Sequence, residues 1–396
     1  MFSSRTNWQR TRNRLTEAVE ARRKSGAEIT DLTVSNPTEC GFTYPQPDLL
    51  ASLSPPDALT YSPDPRGLLS ARGHIANYYR QKNVSLSTSN VFLTSSTSEG
   101  YSLLLKLLCN NGDDVVVPSP SYPLFDYLAR INDVHVRHYL LRYDGSWHLD
   151  LPSLRASLTP STRAIVLVHP HNPTGMFIKT DELQSIYDIA RAHNFSLIVD
   201  EVFLDYPLDQ SPNRVPTTVR ASDEVLTFTL SGISKLCGLP QMKLGWIALS
   251  GPDRAVMEAS ERLEILCDTF LSVSTPIQLA LPAFVQAGND IRRQILNRIK
   301  ENYKCLSTLS NHLRKESFGQ SPITNLPTEG GWYAILKVPR TKSDEEWALE
   351  LLEKKNLYLY PGYFFDMVEE GHLVVSLLPR PEIFQKAVAQ LKEHFS

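Results

Sequence analysis

Lys235 closes a run of small and apolar residues, Thr229-Leu230-Ser231-Gly232-Ile233-Ser234-Lys235, and is followed by Gly238, Lys243 and the pair Gly245-Trp246. A lysine confined in such a turn can stay nucleophilic and form a Schiff base with a carbonyl cofactor, although an isolated lysine is far more often a solvated surface residue. Asp200 and Glu201 end the apolar run Ser196-Leu197-Ile198-Val199. A carboxylate at the edge of an apolar strand is partly desolvated and needs a partner: a protonated ring nitrogen of a cofactor would serve, and so would a helix cap or a local ion pair. Asn172 lies in His169-Pro170-His171-Asn172-Pro173-Thr174-Gly175, a turn sequence met in any protein. The two histidines invite a metal reading, but no HExxH pattern and no third ligand at useful spacing accompany them, so no metal is expected.

Two further segments suit a flat, phosphorylated ligand. In Pro118-Ser119-Pro120-Ser121-Tyr122-Pro123 the prolines stiffen the backbone and aim Tyr122, which could stack on a ring or simply sit half-buried in a proline-rich loop. Thr94-Ser95-Ser96-Thr97-Ser98-Glu99-Gly100 leads into a helical stretch with Leu103, Leu104, Leu107 and Leu108 on one side. Small hydroxyl residues at a helix N-terminus offer donors to a phosphate, while a serine N-cap with a glutamate in the first turn is the plainer explanation.

Short apolar runs that alternate with amphipathic helical stretches must position these residues. The candidate strands are Asn90 to Leu93, Asp114 to Val117, Ala164 to Val168, Ser196 to Val199 and Val225 to Thr229. The pattern predicts an α/β protein with a mostly parallel sheet, whose ligands bind outside the carboxyl ends of the strands. Every segment singled out above falls at such an end.

Composition narrows the class. The 396 residues, 42% hydrophobic and 21% charged, are those of a globular chain long enough for two or three domains. A net charge of -3 leaves no global footprint for nucleic acid or an anionic membrane surface. Cys40, Cys109, Cys237, Cys267 and Cys305 are odd in number and widely spaced, so a reducing cytoplasm is expected and a disulfide framework is not. No apolar run approaches the ~18 residues of a membrane span, and the N-terminus lacks the apolar core of an export signal. Residues 5 to 24 are basic but interrupted by Glu17 and Glu20, with Leu15 and Val19 at helical spacing; a surface helix is expected.

Taken in order, the phosphate loop, Tyr122, Asn172, Asp200, Lys235 and a cation eight residues further on resemble the fold-type-I pyridoxal-phosphate aminotransferases of class I/II. The likeness runs the whole length. It is nearest to the alanine aminotransferase branch, which has segments similar to Asn36-Pro37 with Gly41-Phe42, to Tyr61 through Gly67-Leu68 to Ser70-Ala71-Arg72, and to Leu378-Pro379-Arg380. The resemblance implies a three-layer α/β/α large domain over residues 50–285, and a smaller α+β domain from residues 1–49 and 286–396 that closes over substrate. It implies pyridoxal 5'-phosphate held by Lys235 as a Schiff base, with Lys235 also carrying the transferred proton. Asp200 would pair with the pyridinium nitrogen, Asn172 with the 3'-oxygen, and Tyr122 would stack on the ring. Thr97, Ser98 and Lys243 would bind the phosphate, reached also by Tyr61 from the other subunit of a homodimer with shared active sites. Ser35, Asn172 and Arg66 are the implied substrate contacts.

Three positions depart from the family pattern. Lys243 stands where arginine is usual, keeping the charge without the bidentate fork. Phe203 stands where a tyrosine usually donates to the cofactor's 3'-oxygen. Val374 falls at the place of the arginine that clamps the substrate α-carboxylate, and Arg380, six residues along or ~20 Å of extended chain, is read as structural. Arg66 from the partner subunit is the expected replacement. The expected activity is amino-group transfer between an amino acid of alanine, aspartate or glutamate type and a 2-oxo acid. The missing clamp leaves a β-eliminating lyase on the same fold as the alternative, and a non-enzymatic cofactor-binding regulator as a third reading.

Overall fold

The computed structural model describes residues 1–8, 11–209, 213–316 and 322–395; Arg10 of the basic N-terminal stretch lies outside the described residues. The expected surface helix is α1 (Arg14–Lys24), capped by the Asn13 side chain and anchored by the buried Leu15 and Val19.

Eight strands make the central sheet: β1 (Val91–Thr94), β2 (Asp114–Ser119), β3 (His135–Tyr143), β4 (Trp147–Leu149), β5 (Thr162–Val168), β6 (Ser196–Asp200), β7 (Thr227–Gly232) and β8 (Gly245–Ser250). Their order across the sheet is β1-β8-β7-β6-β5-β2-β3-β4. The central pairings β3–β2, β2–β5, β5–β6 and β6–β7 are parallel, and the flanking pairings β1–β8, β8–β7 and β3–β4 are antiparallel. All five strands expected from the sequence are present, the last shifted to Thr227–Gly232. Strands β3, β4 and β8 were not anticipated. In β3, His135, Arg137, His138 and Arg142 are exposed, so it lacks the continuous apolar run of a buried strand.

Alternating side chains serve two faces, as a strand covered on both sides requires. On one face Ile198 packs with Phe228 and Leu230 under α2 (Thr97–Leu108), which contributes Leu103, Leu104 and Leu105. On the other, Leu197 and Val199 pack with Ile186 and Ile189 of α3 (Thr180–His193). This three-layer arrangement matches the expected class.

A second sheet is antiparallel throughout, in the order β9 (Thr324–Asn325), β10 (Tyr333–Lys337), β12 (His372–Ser376), β11 (Tyr360–Pro361). The N-terminal segment joins it: Thr30–Asp31 pairs with Leu357–Tyr358, and the Ser376 amide donates to the Leu32 carbonyl at 2.7 Å. One helix of 42 residues, α4 (Thr275–Glu316), runs through position 285 without a break. No described helix is long and apolar enough to cross a membrane.

Candidate active site

The carboxyl ends of β5, β6 and β7 and the start of α2 open on one cavity of about 240 Å³. Thr97, Ser98, Tyr122, Asn172, Asp200 and Lys235 all line it. Ser35 joins them from the N-terminal segment, and Tyr333 enters from β10.

At the mouth of α2 the local chain caps itself. The Ser96 hydroxyl accepts the Glu99 amide at 3.1 Å, and the Glu99 carboxylate accepts the Ser95 amide at 2.6 Å. This reciprocal cap leaves the Thr97 and Ser98 amides among the first-turn donors that no helix satisfies internally, in two hydroxyl residues that line the cavity and suit an anion. Gly245 closes the floor beside them. A Cβ there would sit 3.1 Å from the Ser96 carbonyl carbon and from Thr94 Oγ1, so a larger residue would push the strand and the loop apart by a few tenths of an ångström.

Asn172 offers the cavity a polar group that can meet a ligand. Its amide oxygen is buried with no protein partner among the described residues. A buried polar group left so costs about 1–3 kcal/mol, and either end of the amide can be turned to meet a ligand oxygen or donor. Its neighbours are spent differently. His169 bonds the Ile178 amide and the Val215 carbonyl, whereas His171 bonds Thr174 through Nδ1 and its buried Nε2 has no partner among the described residues; burial pushes the two rings down to about 4 and about 3.

Asp200 Oδ1 accepts the Val202 amide at 3.0 Å and Oδ2 accepts the Tyr101 hydroxyl at 3.4 Å. Removal from bulk water pushes this carboxyl up to about 6, the two hydrogen bonds and Lys235 pulling it partly back. Lys235 Nζ rests 4.7 Å from the Trp332 ring centroid and 5.6 Å from that of Phe203. Burial brings its ammonium down to about 8 against the opposing pull of Asp200, so a useful fraction is free amine near neutral pH. Phe203 faces the same cavity and meets Trp332 edge-on at 5.4 Å. Its ring brings no hydroxyl to the site.

The remaining expected residues lie elsewhere. Lys243 is exposed and directly precedes the lining residues Leu244 and Gly245 without lining the cavity itself. Tyr61 is 80% exposed and borders a separate cavity of about 230 Å³ with Asp64, Glu99 and Phe270. Val374 is fully buried, paired with Ile335 and Tyr360. Arg380 lies against Gly41, whose φ of +75° and missing Cβ make room for the guanidinium. Among the described residues that line the main cavity, Lys235 is the one cation.

Arg66, expected as a substrate contact from the partner subunit, is bonded within its own chain. Its guanidinium is taken by Glu264 at 2.6 Å and 2.9 Å and by the Ser89 carbonyl at 2.6 Å, and it lies 5.2 Å from the Phe92 ring centroid. Arg66→Ala is therefore expected to cost about 2 kcal/mol of stability, the scale of losing a charged donor, and to leave the carboxylate-substrate KM unchanged. Thermal melts and steady-state kinetics check both halves; a raised KM with an unmoved Tm would return Arg66 to the substrate.

Sequence reasoning missed Tyr101, Phe125 and Tyr333 as lining residues. Tyr101 and Phe125 lie in no motif that marks them, and Tyr333 arrives from the second sheet, 98 residues downstream of Lys235, which no local pattern reveals.

The pattern of the aminotransferase class I and II family matches residues 48–389. The glutamate-pyruvate aminotransferase AlaA of Haemophilus influenzae is 29% identical over 385 residues, covering 94% of this chain and 92% of its own. The alanine aminotransferase of Mycobacterium tuberculosis is 27% identical over 377 residues, covering 92% and 85%. Among solved structures, the alanine aminotransferase of Pyrococcus furiosus superposes with a TM-score of 0.88 over 100% of this chain and 99% of its own at 22% identity, a likeness of fold.

Proposed function

The chain belongs to the aminotransferase class I and II family, and within that family we propose that it exchanges an amino group between alanine and 2-oxoglutarate, giving pyruvate and glutamate. It is a pyridoxal-phosphate-dependent transaminase. The observation that carries the site assignment is the convergence of Lys235, Asp200, Asn172, Tyr122, Thr97 and Ser98 on one cavity with an orphaned amide in its wall. The choice of substrates rests on the names of its relatives.

When bound, pyridoxal 5'-phosphate supplies an electrophilic carbonyl and an electron-accepting ring. Lys235 Nζ would hold the cofactor at its carbonyl carbon, with loss of water, and once displaced by the substrate amine would be the base that takes the substrate Cα proton and returns it to that former carbonyl carbon, on the far side of the shared nitrogen. Trp332 and Phe203 hold that amine in place and keep water from it. Asp200 stabilises a proton on the ring nitrogen. Asn172 donates to the ring's 3'-oxygen, Tyr122 covers one ring face, and Thr97 and Ser98 hold the phosphate, with Lys243 adding charge at the edge. Ser35, beside the Tyr333 phenol, and Asn172 meet the substrate with hydroxyl and amide donors instead of a guanidinium.

The domain division follows the two sheets: residues 50–285 as the large domain, with residues 1–49 and 286–396 as the small one, joined through α4. We place Tyr61 in the partner's site of a homodimer. The exposed Leu59, Tyr61, Leu69 and Phe270 favour burial of this surface against a second copy. The five free cysteines, Cys40, Cys237 and Cys267 among them buried, support a reducing cytoplasm.

Incubation of the loaded protein with alanine and 2-oxoglutarate tests the reading. Pyruvate and glutamate in equal amounts support it. Sulfide, pyruvate and ammonia released from cysteine, which carries a β leaving group that alanine lacks, with no glutamate formed from alanine, would mean elimination; turnover of neither amino acid would mean different substrates or a regulator.

A further inference from the structure

We infer that Tyr101 is a positioning residue for the transamination: its hydroxyl holds the Asp200 carboxylate ionised and turned toward the ring nitrogen, so that one helix sets both the phosphate end and the nitrogen end of the cofactor. This rests on the reading of Asp200 as the ring-nitrogen partner.

Tyr101 lies on α2 one turn beyond Thr97, at the i+4 spacing that puts two side chains on the same helix face. Both line the cavity. The Tyr101 hydroxyl donates to Asp200 Oδ2 at 3.4 Å, and among the described residues Asp200 is its one hydrogen-bond partner. Its ring meets Phe125 edge-on at 5.2 Å and is 5% exposed, so its direction is fixed by packing. Burial beside Asp200 pushes the phenol well above its ordinary range, which keeps it protonated and able only to donate to the carboxylate. With Oδ1 taken by the Val202 amide at 3.0 Å, each carboxylate oxygen has one donor from the chain and keeps lone pairs for a ligand. A donor to the ionised form favours it. Without the phenol, the shared proton moves from the ring nitrogen toward Asp200, and the ring loses electron-accepting power. A phenylalanine would fill the same packing space, so packing alone gives no reason for the hydroxyl.

The test uses the full-length Tyr101→Phe protein stripped of cofactor. Dissociation constants are measured for pyridoxal 5'-phosphate and for its 1-deaza analogue, in which CH replaces the ring nitrogen. Pyridoxal phosphate should bind roughly tenfold more weakly to the variant, the effect of one lost hydrogen bond to a charged group, while the analogue binds as it does to the native protein. In the reconstituted variant kcat should fall with KM unchanged. Equal weakening of both ligands would show that Tyr101 only packs, and no weakening of either would show that its hydroxyl does nothing; both overturn the inference. Asp200→Asn serves as the control on the underlying reading. It should abolish the native preference for pyridoxal phosphate over the analogue, and if that preference survives, the assignment of Asp200 falls and the role of Tyr101 falls with it.

Discussion

Lys235→Ala should abolish transamination, lowering turnover by at least about ten-thousand-fold, because one side chain is lost that both binds the cofactor carbonyl and moves the substrate proton. Proton transfer by a positioned group alone contributes on the order of a hundred- to ten-thousand-fold, and the covalent attachment is lost besides. The geometry supports one amine doing both. Lys235 Nζ is held over Trp332 and Phe203, and Asp200 is the charge that raises its proton affinity against the effect of burial. Cofactor should still bind the variant, since the α2 amides, Asn172 and Asp200 are untouched. Borohydride reduction followed by peptide mass mapping should tag the peptide containing Lys235 in the native protein and no peptide in the variant. Substantial transamination by Lys235→Ala, or a tag on another lysine, would remove Lys235 from the centre of the chemistry.

The parts of this site that were legible in the sequence share one physical origin. A parallel strand covered on both faces must be apolar, so Ile165 to Val168 and Leu197 to Val199 stand out from their surroundings, and the first polar residues after them, His169 through Asn172 and Asp200, are marked as strand ends. Ligands bind at such ends in open α/β sheets, which turns a list of strand ends into a site. What could not be read came from across the fold. Tyr333 reaches the cavity only because β10 pairs with β12 and the N-terminal segment ties that sheet down beside Ser35. The commitment of Arg66 to Glu264 spans 198 positions of chain and leaves no local trace. Val374 shows the limit from the other side: its place in the family pattern could be assigned by alignment, but its burial between Ile335 and Tyr360 is a property of the antiparallel register. The hydroxyl of Tyr101 is the subtlest case, since an aromatic at a helical core spacing gives no hint that its polar end meets a carboxylate on the neighbouring sheet.

Asp200→Ala and Asp200→Asn should each lower kcat by roughly a hundred- to ten-thousand-fold. The estimate follows from electrostatics: removing one member of a buried ion pair costs about 3–5 kcal/mol, and about 1.4 kcal/mol corresponds to tenfold in rate. Asp200 is removed from bulk water, which pushes its carboxyl up to about 6, yet at pH 7.5 it is still mostly ionised, and a protonated ring nitrogen set against it would lower it further. The charge, more than the shape, is what matters, so the isosteric Asn variant should fail nearly as badly as Ala. The same property fixes a pH dependence. Below about 6 the empty site takes up a proton on Asp200, and the affinity of the stripped protein for pyridoxal phosphate should fall as pH drops through that point. In Asp200→Asn that step should vanish from the binding curve, because no group at this position can then titrate. A fully active Asp200→Asn enzyme would mean that the ring is kept electron-poor by some other group, and an unchanged binding step near pH 6 in that variant would assign the titration to a residue other than Asp200.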